Sequence, residues 1–172
     1  SFDAFMDALV PKREIKERAV TISGEGTLDL AWLSERLSCL GYDREVQVGA
    51  PGQFAVRGGI LDVYPLTGEL PVRIELWGDE VESIRTFDVE TQRSIENLTE
   101  AVIYPATEFP REGGKRVSFL DYFPAEETLL YLDEPLRLIE KGNAVEDEFM
   151  EAQKRRLEAG QVLTDAEAHL YT

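Results

Sequence analysis

The feature that most constrains the fold is a long stretch with a two-residue period, which begins at Tyr42 and ends near Pro105. Its segments "YDREVQV", "QFAVR", "GILDVYP", "PVRIELW" and "EVESIRTFD" are separated by turn residues, and "IENLTEAVIYP" continues extended. In "PVRIELW", three aliphatic side chains point to one face, whereas Arg73, Glu75 and Trp77 point to the other. Such alternation is typical of antiparallel meanders with one buried face and one face in water.

Leucines spaced by three and four residues upstream of this stretch indicate a helix with one apolar face. They are Leu30, Leu33, Leu37 and Leu40, and Gly41 follows where a left-handed C-terminal cap is common. This pattern predicts a helix that packs against the sheet.

The two ends of the chain are predicted to mix helices with short strands. "FDAFMDAL" indicates one or two helical turns that stop at Pro11, and "ERAVTIS" (17–23) indicates a strand. Towards the C-terminus, "ETLLYLDEP" indicates a short strand, and a helix is expected to begin near Asp133 or Glu134 with Pro135 in its first turn.

A final helix is indicated by Thr164 and Glu167, which have the spacing of a capping box. Together the patterns predict an α+β fold. It consists of an antiparallel β-sheet meander with one or two packed helices, followed by a helical C-terminal appendage.

The charge balance argues against nucleic acid as a direct partner. The chain has 18 basic and 34 acidic side chains and a net charge of −16. Because affinity for nucleic acid depends on Lys and Arg neutralising phosphates, direct DNA binding is not expected, although a locally basic patch is compatible with this balance.

Two further features bear on where the chain is expected to act. It contains neither a run of 18 apolar residues nor a signal-peptide pattern, so no membrane association is expected. Cys39 is the only cysteine, which gives no disulfide framework and favours the reducing cytoplasm.

The Arg57-Gly58-Gly59 sequence does not have the spacing of a nucleotide-binding loop. A P-loop requires a longer glycine-spaced turn with Lys-Ser/Thr, and a dinucleotide site requires GxGxxG before a helix. Here the glycines lead into a strand, which predicts a tight turn or a bulge.

Three carboxylates permit two interpretations. Asp79, Glu80 and Glu82 lie where a hairpin turn is needed, so solvated acids in a turn are the favoured interpretation. The alternative is the acid/base or Mg²⁺ site of a small carboxylate-based, metal-dependent hydrolase. His169, the only histidine, has no nucleophile or metal-ligand cluster around it, and we expect no catalytic residue, metal site or cofactor.

The arginines are the more informative set. Arg44, Arg57 and Arg73 come from three separate predicted strands, and Glu75 is on the same face as Arg73. Neighbouring strands would gather these side chains on the exposed face, where arginine is enriched at protein-binding hot spots. The alternative is scattered surface salt bridges of little energetic weight.

Several motifs of the sequence resemble those of a known family. "PGQFAVRGGILDVYP", "VRIELWGDEVESIRTFD", "TQRS" and "PATEFP" resemble the UvrB-homology region of the bacterial transcription-repair coupling factors (Mfd). UvrB, the damage-recognition helicase, shares the first two motifs in looser form. The resemblance is densest from Leu28 to Pro110, and "LDEPLRLIEKGNAVEDEFMEAQKRRLEAGQ" resembles the segment that follows this module.

This resemblance implies a domain organisation. Residues 1–12 would end a preceding UvrB-like domain, 13–112 would form a UvrB domain 2-like, UvrA-interacting domain, and 113–172 would begin a degenerate helicase domain. The chain lacks helicase motifs, so the resemblance implies a fragment without ATPase activity whose parent is an ATP-dependent DNA translocase that contacts RNA polymerase elsewhere.

The resemblance also implies a function and a site. The chain would be a non-catalytic module of transcription-coupled nucleotide excision repair that docks UvrA and recruits it to RNA polymerase stalled at a lesion. Motif matching implies UvrA binding by Arg44 of "YDR", by Arg57 before the glycine turn, and by Arg73 and Glu75 of "R-x-E".

Two positions depart from the pattern of UvrB-like sequences. Ala55 stands where they often have a second arginine, and Gly59 stands where they commonly have aspartate. A remaining alternative is an intramolecular packing domain without UvrA binding. The resemblance itself implies that another domain of the parent masks the same face.

Overall fold

The computed structural model describes residues 5–108 and 114–161. The chain divides into two compact units. One is Ile15–Glu108, which we call the sheet unit; the other, the terminal unit, combines the described residues before Ile15 with those from position 114 onward.

Eight strands form the framework of the sheet unit. They are β1 (Val20–Ser23), β2 (Asp43–Arg44), β3 (Gln53–Arg57), β4 (Ile60–Val63), β5 (Val72–Trp77), β6 (Glu80–Phe87), β7 (Ser94–Leu98) and β8 (Glu100–Ile103). Strands β2 to β7 lie side by side in chain order, and β1 pairs with β8 in a separate antiparallel ribbon. The pairs from β3 to β7 are antiparallel, so the predicted α+β meander is confirmed.

The first strand predicted for the meander, "YDREVQV", is wrong in length and in its direction relative to the next strand. Only Asp43 and Arg44 of "YDREVQV" form a strand, and β2 runs parallel to β3. The connecting loop is held by a side chain, because Gln53 Oε1 accepts hydrogen bonds from the backbone N–H groups of Gly49 (2.9 Å) and Ala50 (3.0 Å). The loop therefore returns the chain in the same direction instead of closing a hairpin.

The predicted leucine helix is confirmed as α2 (Leu30–Cys39). Asp29 caps its N-terminus, with Oδ1 accepting from the backbone N–H groups of Ala31 (2.8 Å) and Trp32 (3.1 Å). Leu33 and Leu37 are fully buried in the core cluster, which joins this helix to the apolar face of the sheet.

The sheet has one buried and one partly exposed face, as the alternation predicts. On β5, Val72, Ile74 and Leu76 are buried, while Arg73 and Glu75 are half-buried. Because α2 packs with the apolar side chains, the opposite face of β3–β6 carries the polar residues.

At the N-terminus, the predicted helical turns are wrong for residues 6–9, and only Phe5 of the described residues there lies in a 3-10 turn. Leu9 forms an antiparallel bridge with Val117, with reciprocal backbone hydrogen bonds of 2.9 Å. The helix begins only after Pro11, as α1 (Lys12–Arg18), and the following strand is correspondingly shorter than predicted. This placement agrees with the preference of proline for helix starts over helix interiors.

The terminal unit contains one predicted element and lacks another. Helix α3 (Pro135–Glu158) starts as predicted, with Glu134 as N-cap and proline in the first helical position. The strand predicted from "ETLLYLDEP" is wrong, because the described residues 127–134 form none. Leu129 there is 95% exposed, and an apolar run without a partner strand does not form a ladder.

The predicted capping box at Thr164 and Glu167 and the single histidine, His169, lie outside the described residues. Among the described helices, none is both long and apolar enough to cross a membrane.

The Arg57-Gly58-Gly59 sequence forms the turn between β3 and β4, as predicted, and the two glycines have different roles. Gly58 has φ +61°, and a Cβ there would meet no atom within 4 Å. At Gly59 a Cβ would lie 2.7 Å from the backbone oxygen of Leu76, so the two strands would have to separate.

We therefore predict that Gly59→Ala lowers the free energy of unfolding by about 2 kcal/mol, because backbone must shift to accept the methyl group. Gly58→Asn is the matched control and should cost less than about 1 kcal/mol, since asparagine tolerates a positive φ. Urea denaturation measures both values. Equal stability of the two variants would contradict this distinction.

Candidate protein-binding face

A buried carboxylate lies at the centre of the polar face of the sheet. Asp62 on β4 is 1% exposed and is in register with Arg73 on β5. Arg73 donates from Nε to Oδ1 (2.7 Å) and from Nη2 to Oδ2 (2.9 Å), which is a bidentate pair. Arg57 donates from Nη2 to Oδ2 (2.6 Å). One carboxylate therefore holds two arginines from two different strands.

The Arg73 side chain is held by an aromatic ring and an amide as well as by the Asp62 carboxylate. Its guanidinium lies 4.3 Å from the centroid of the Phe87 ring, and Nη2 also donates to Gln92 Oε1 (2.9 Å). Its side chain is 13% exposed. The hydrogen bond to Asp62 is the main reason that the pKa of Arg73 is raised above its ordinary value. Arg73 thus serves mainly to organise the face.

A second ion pair extends the network across β5 and β6. Glu75 accepts hydrogen bonds from Ser83 Oγ (3.0 Å) and from Arg85 Nη2. Arg85 lies opposite Arg73 in register, and Glu75 lies opposite Ser83. We call the set Arg57, Asp62, Arg73, Glu75 and Arg85 the arginine face.

The turn between β6 and β7 supports this face from one edge. Asp88 Oδ1 accepts from both Oγ1 and the backbone N–H of Thr91, each at 2.7 Å, and the Gln92 N–H donates to the Asp88 backbone oxygen (2.8 Å). The hydrogen bond from the Thr91 hydroxyl is the largest reason that the pKa of Asp88 is lowered. The turn holds Gln92 at φ 59°, from which its side chain reaches Arg73.

The structure brings together three of the four predicted site residues. Arg57, Arg73 and Glu75 belong to the arginine face, and Arg57 is the most exposed of them, with 42% of its side chain accessible. Arg44 lies elsewhere. Its register with Phe54 places it on the side of α2, where it lines a shallow cavity with helix residues, Val56 and Gly58.

Sequence reasoning missed Asp62, Arg85 and Gln92. An available signal for Asp62 was its position within the otherwise apolar run of "GILDVYP", because a buried acid in a strand is usually paired. Gln92 gave no comparable signal, since its contact with Arg73 depends on the conformation of a turn.

The structure also places the two residues that depart from the pattern of UvrB-like sequences. Ala55 is buried opposite Asp62, and Gly59 makes the close approach to β5.

The carboxylates considered for a metal site lie at the β5–β6 hairpin. Asp79 follows Gly78 (φ +62°) in the turn, and Glu80 and Glu82 are exposed on β6. Within the described part of the chain, no three His, Cys, Asp or Glu residues are grouped so that they could hold a metal ion.

Comparison with known proteins identifies relatives of this chain. The family model described as the UvrB interaction domain matches residues 20–109. The transcription-repair-coupling factor of Bacillus subtilis (strain 168) is 51% identical over 92 residues, which cover 52% of this chain and 8% of that protein. The factor of Staphylococcus aureus (strain MRSA252) is 38% identical over 129 residues, which cover 75% of this chain and 10% of that protein. The chain therefore spans about a tenth of the length of these relatives.

We predict that Asp62→Ala lowers the free energy of unfolding by about 3 kcal/mol, because it leaves the largely buried Arg73 without its carboxylate. Glu96→Ala, which removes an exposed carboxylate from β7 of the same sheet, is the control and should change stability by less than about 0.5 kcal/mol. Urea denaturation provides both values. Similar stabilities for the two variants would show that the network around Asp62 does not hold the face together.

The lowered pKa of Asp88 gives a pH-dependent prediction. A depressed folded-state pKa stabilises the fold above the ordinary carboxyl value of 3.8, and this contribution is lost as the pH falls through the folded value. Thr91→Ala removes the largest cause of the shift, so we expect it to raise the Asp88 pKa. It should lower the melting temperature at neutral pH, with a smaller effect at pH values below 3.8.

Carbonyl NMR titration of Asp88 and thermal melts at several pH values measure these changes. An unchanged Asp88 pKa in Thr91→Ala would contradict the assigned cause, and so would a melting-temperature difference that is independent of pH.

Proposed function

This chain belongs to the UvrB interaction domain family, and from that membership we propose that it is a non-catalytic protein–protein interaction module that docks UvrA. In the proposed setting, a longer parent protein recruits UvrA to RNA polymerase stalled at a DNA lesion. The relatives bear the name transcription-repair-coupling factor, which supports this setting. ATP-driven translocation and contact with RNA polymerase are assigned to other parts of the parent.

The observation that carries the proposal is the preorganised arginine face. In a chain with a net charge of −16, Arg57 and Arg73 are brought together by a buried carboxylate. Asp62 relieves the repulsion between them and fixes their planes before any partner arrives. Preorganised side chains lose less conformational freedom on binding, so more of the interaction energy appears as affinity.

The members of the face have different proposed roles. Arg57 has the exposed guanidinium, so it is the residue that makes direct hydrogen bonds to acceptors on UvrA. Arg73 and Glu75 are less exposed, so they maintain the ion-pair network and offer UvrA a smaller contact area than Arg57 does. Arg44 lines a cavity with Gly58 of the β3–β4 turn on the side of α2, so it contributes where UvrA extends around that turn.

Two proposals about the surroundings of this module accompany the binding function. Residues 13–112 form the UvrA-interacting domain, with parts of neighbouring UvrB-like domains on either side. In the intact parent, another domain masks the same face until UvrA is to be recruited. A face that is preorganised and only partly exposed suits both UvrA and the masking domain, because neither partner has to order its side chains on binding.

We predict that Arg57→Ala weakens binding to UvrA of the same organism by roughly 30-fold, which corresponds to about 2 kcal/mol at an interface hot spot. Arg57 is the most informative position, because Asp62 keeps its bidentate pair with Arg73 when Arg57 is removed. The fold should therefore be preserved in this variant, which circular dichroism checks.

Lys16→Ala is the matched control, since it removes one exposed positive charge from α1. Calorimetric titration of wild type and both variants gives the three affinities. Equal weakening by Arg57→Ala and Lys16→Ala would reduce the effect to net charge and contradict the assigned site. No binding by the wild-type chain would contradict the proposed function itself.

A further inference from the structure

A tryptophan at the end of β5 is almost entirely in water. Trp77 is 80% exposed, although burying a tryptophan ring removes 150–250 Å² of surface from water. The preceding residue, Leu76, is buried among the core side chains. Since neighbouring residues of a strand point to opposite faces, Trp77 points to the same face as Arg73 and Glu75.

Trp77 lies where two hairpins meet. Its cross-strand partner is Glu80 across the β5–β6 turn, and the Leu76 N–H donates to the Gly59 oxygen (2.8 Å) in the adjacent β3–β4 turn. In the order of the strands, the ring on β5 therefore lies between Arg57 on β3 and Glu80 on β6.

The distances place Trp77 within any interface centred on Arg57. Arg57 on β3 is in register, through Ile60, with Glu75 on β5, and Trp77 lies two residues further along β5. Two strand spacings and this offset together amount to about 12 Å. A standard interface covers about 800 Å² on each partner, which corresponds to a patch roughly 30 Å across. A partner that binds Arg57 on this face therefore also covers Trp77.

We propose that Trp77 is the apolar anchor by which this face binds its partner, an inference that rests on the proposed docking of UvrA. The ring enters an apolar recess on UvrA, a carboxylate of UvrA lies opposite Arg57, and a basic group lies opposite Glu80. Charge complementarity favours such a partner, because this end of the sheet presents the cation of Arg57, the ring of Trp77 and the anion of Glu80 in the order of their strands. Tryptophan and arginine are the side chains most enriched at binding hot spots.

The second tryptophan of the chain is a matched control. Trp32 is 51% exposed, but it is on α2, which packs against the opposite side of the sheet. Replacing either tryptophan by alanine removes the same atoms from an exposed position. Only the Trp77 change should affect a partner bound to the arginine face.

The test is calorimetric titration of the chain with UvrA. We expect Trp77→Ala to bind at least about tenfold more weakly than wild type, Trp77→Phe to recover most of the affinity, and Trp32→Ala to bind within about twofold of wild type. Trp77→Ala should keep the wild-type unfolding midpoint in urea, because its ring is 80% exposed, and circular dichroism checks that Trp32→Ala is folded.

A spectroscopic readout shows whether the ring is covered. With 5-fluorotryptophan, the two tryptophans give two ¹⁹F resonances that Trp32→Phe assigns, and UvrA should shift the Trp77 resonance while leaving that of Trp32 in place. Binding of UvrA with no effect of Trp77→Ala overturns this inference alone. Absence of binding by the wild-type chain overturns both it and the proposed function. A Trp77 shift that depends on the concentration of the chain alone would show that a second copy covers the ring, which also overturns the inference.

Discussion

The buried carboxylate of Asp62 is the interaction on which the polar face depends. It lies in the middle of β4, where it accepts two hydrogen bonds from Arg73 and one from Arg57. Without it, the guanidinium groups of Arg57 and Arg73, which reach towards β4 from the strands on either side, would repel one another. With it, Arg73 becomes part of the fold and Arg57 is held at its edge with much of its side chain in water. Fold stability and the proposed binding thus involve one ion-pair network, although they are assigned to different arginines.

The availability of this face follows from the way the core is built. Helix α2 covers the apolar side of the sheet with Leu33 and Leu37, so the opposite side of β3–β6 needs no helix above it. The glycine turn lets the start of β4 approach β5 closely, because Gly59 has no side chain to separate it from Leu76. The result is a regular sheet surface whose two hairpin turns lie beside Arg57 and Trp77. A surface that is already ordered before binding is suited to recognition of another protein.

The sequence predicted those features that depend on periodicity. The alternation in "PVRIELW" predicted which side of β5 is buried, the leucine spacing predicted α2, and Gly41 after that helix has the predicted left-handed conformation, with φ 87°. It also selected Arg57, Arg73 and Glu75, because residues two apart on a strand share a face. Features that depend on tertiary partners were not predictable in the same way. Strand β2 is parallel because the Gln53 side chain holds the preceding loop, and "ETLLYLDEP" forms no strand because no partner strand lies beside it among the described residues.

The site shows the same division between local pattern and tertiary contact. Arg44 was grouped with the other arginines because it was predicted to lie on a neighbouring strand, but its register with Phe54 places it beside α2. Gln92 and Phe87 complete the surroundings of Arg73 from the far end of β6, and nothing in their immediate sequence indicates that contact. Periodicity left open whether the arginines bind a partner or form scattered salt bridges, and their proposed role in binding comes from the motif resemblance.

The central claim is that the partner binds the face that Asp62 organises. The most direct measurement is a ¹⁵N-labelled NMR titration of this chain with unlabelled UvrA, in which backbone amides and the Nε–H groups of the arginines are followed. We expect resonances of β3, β4 and β5, including the Arg57 and Arg73 Nε–H groups, to change first and most strongly, while those of Leu33 and Leu37 in α2 remain unchanged. Changes confined to α2 or to α3, with the arginine resonances unaffected, would contradict it.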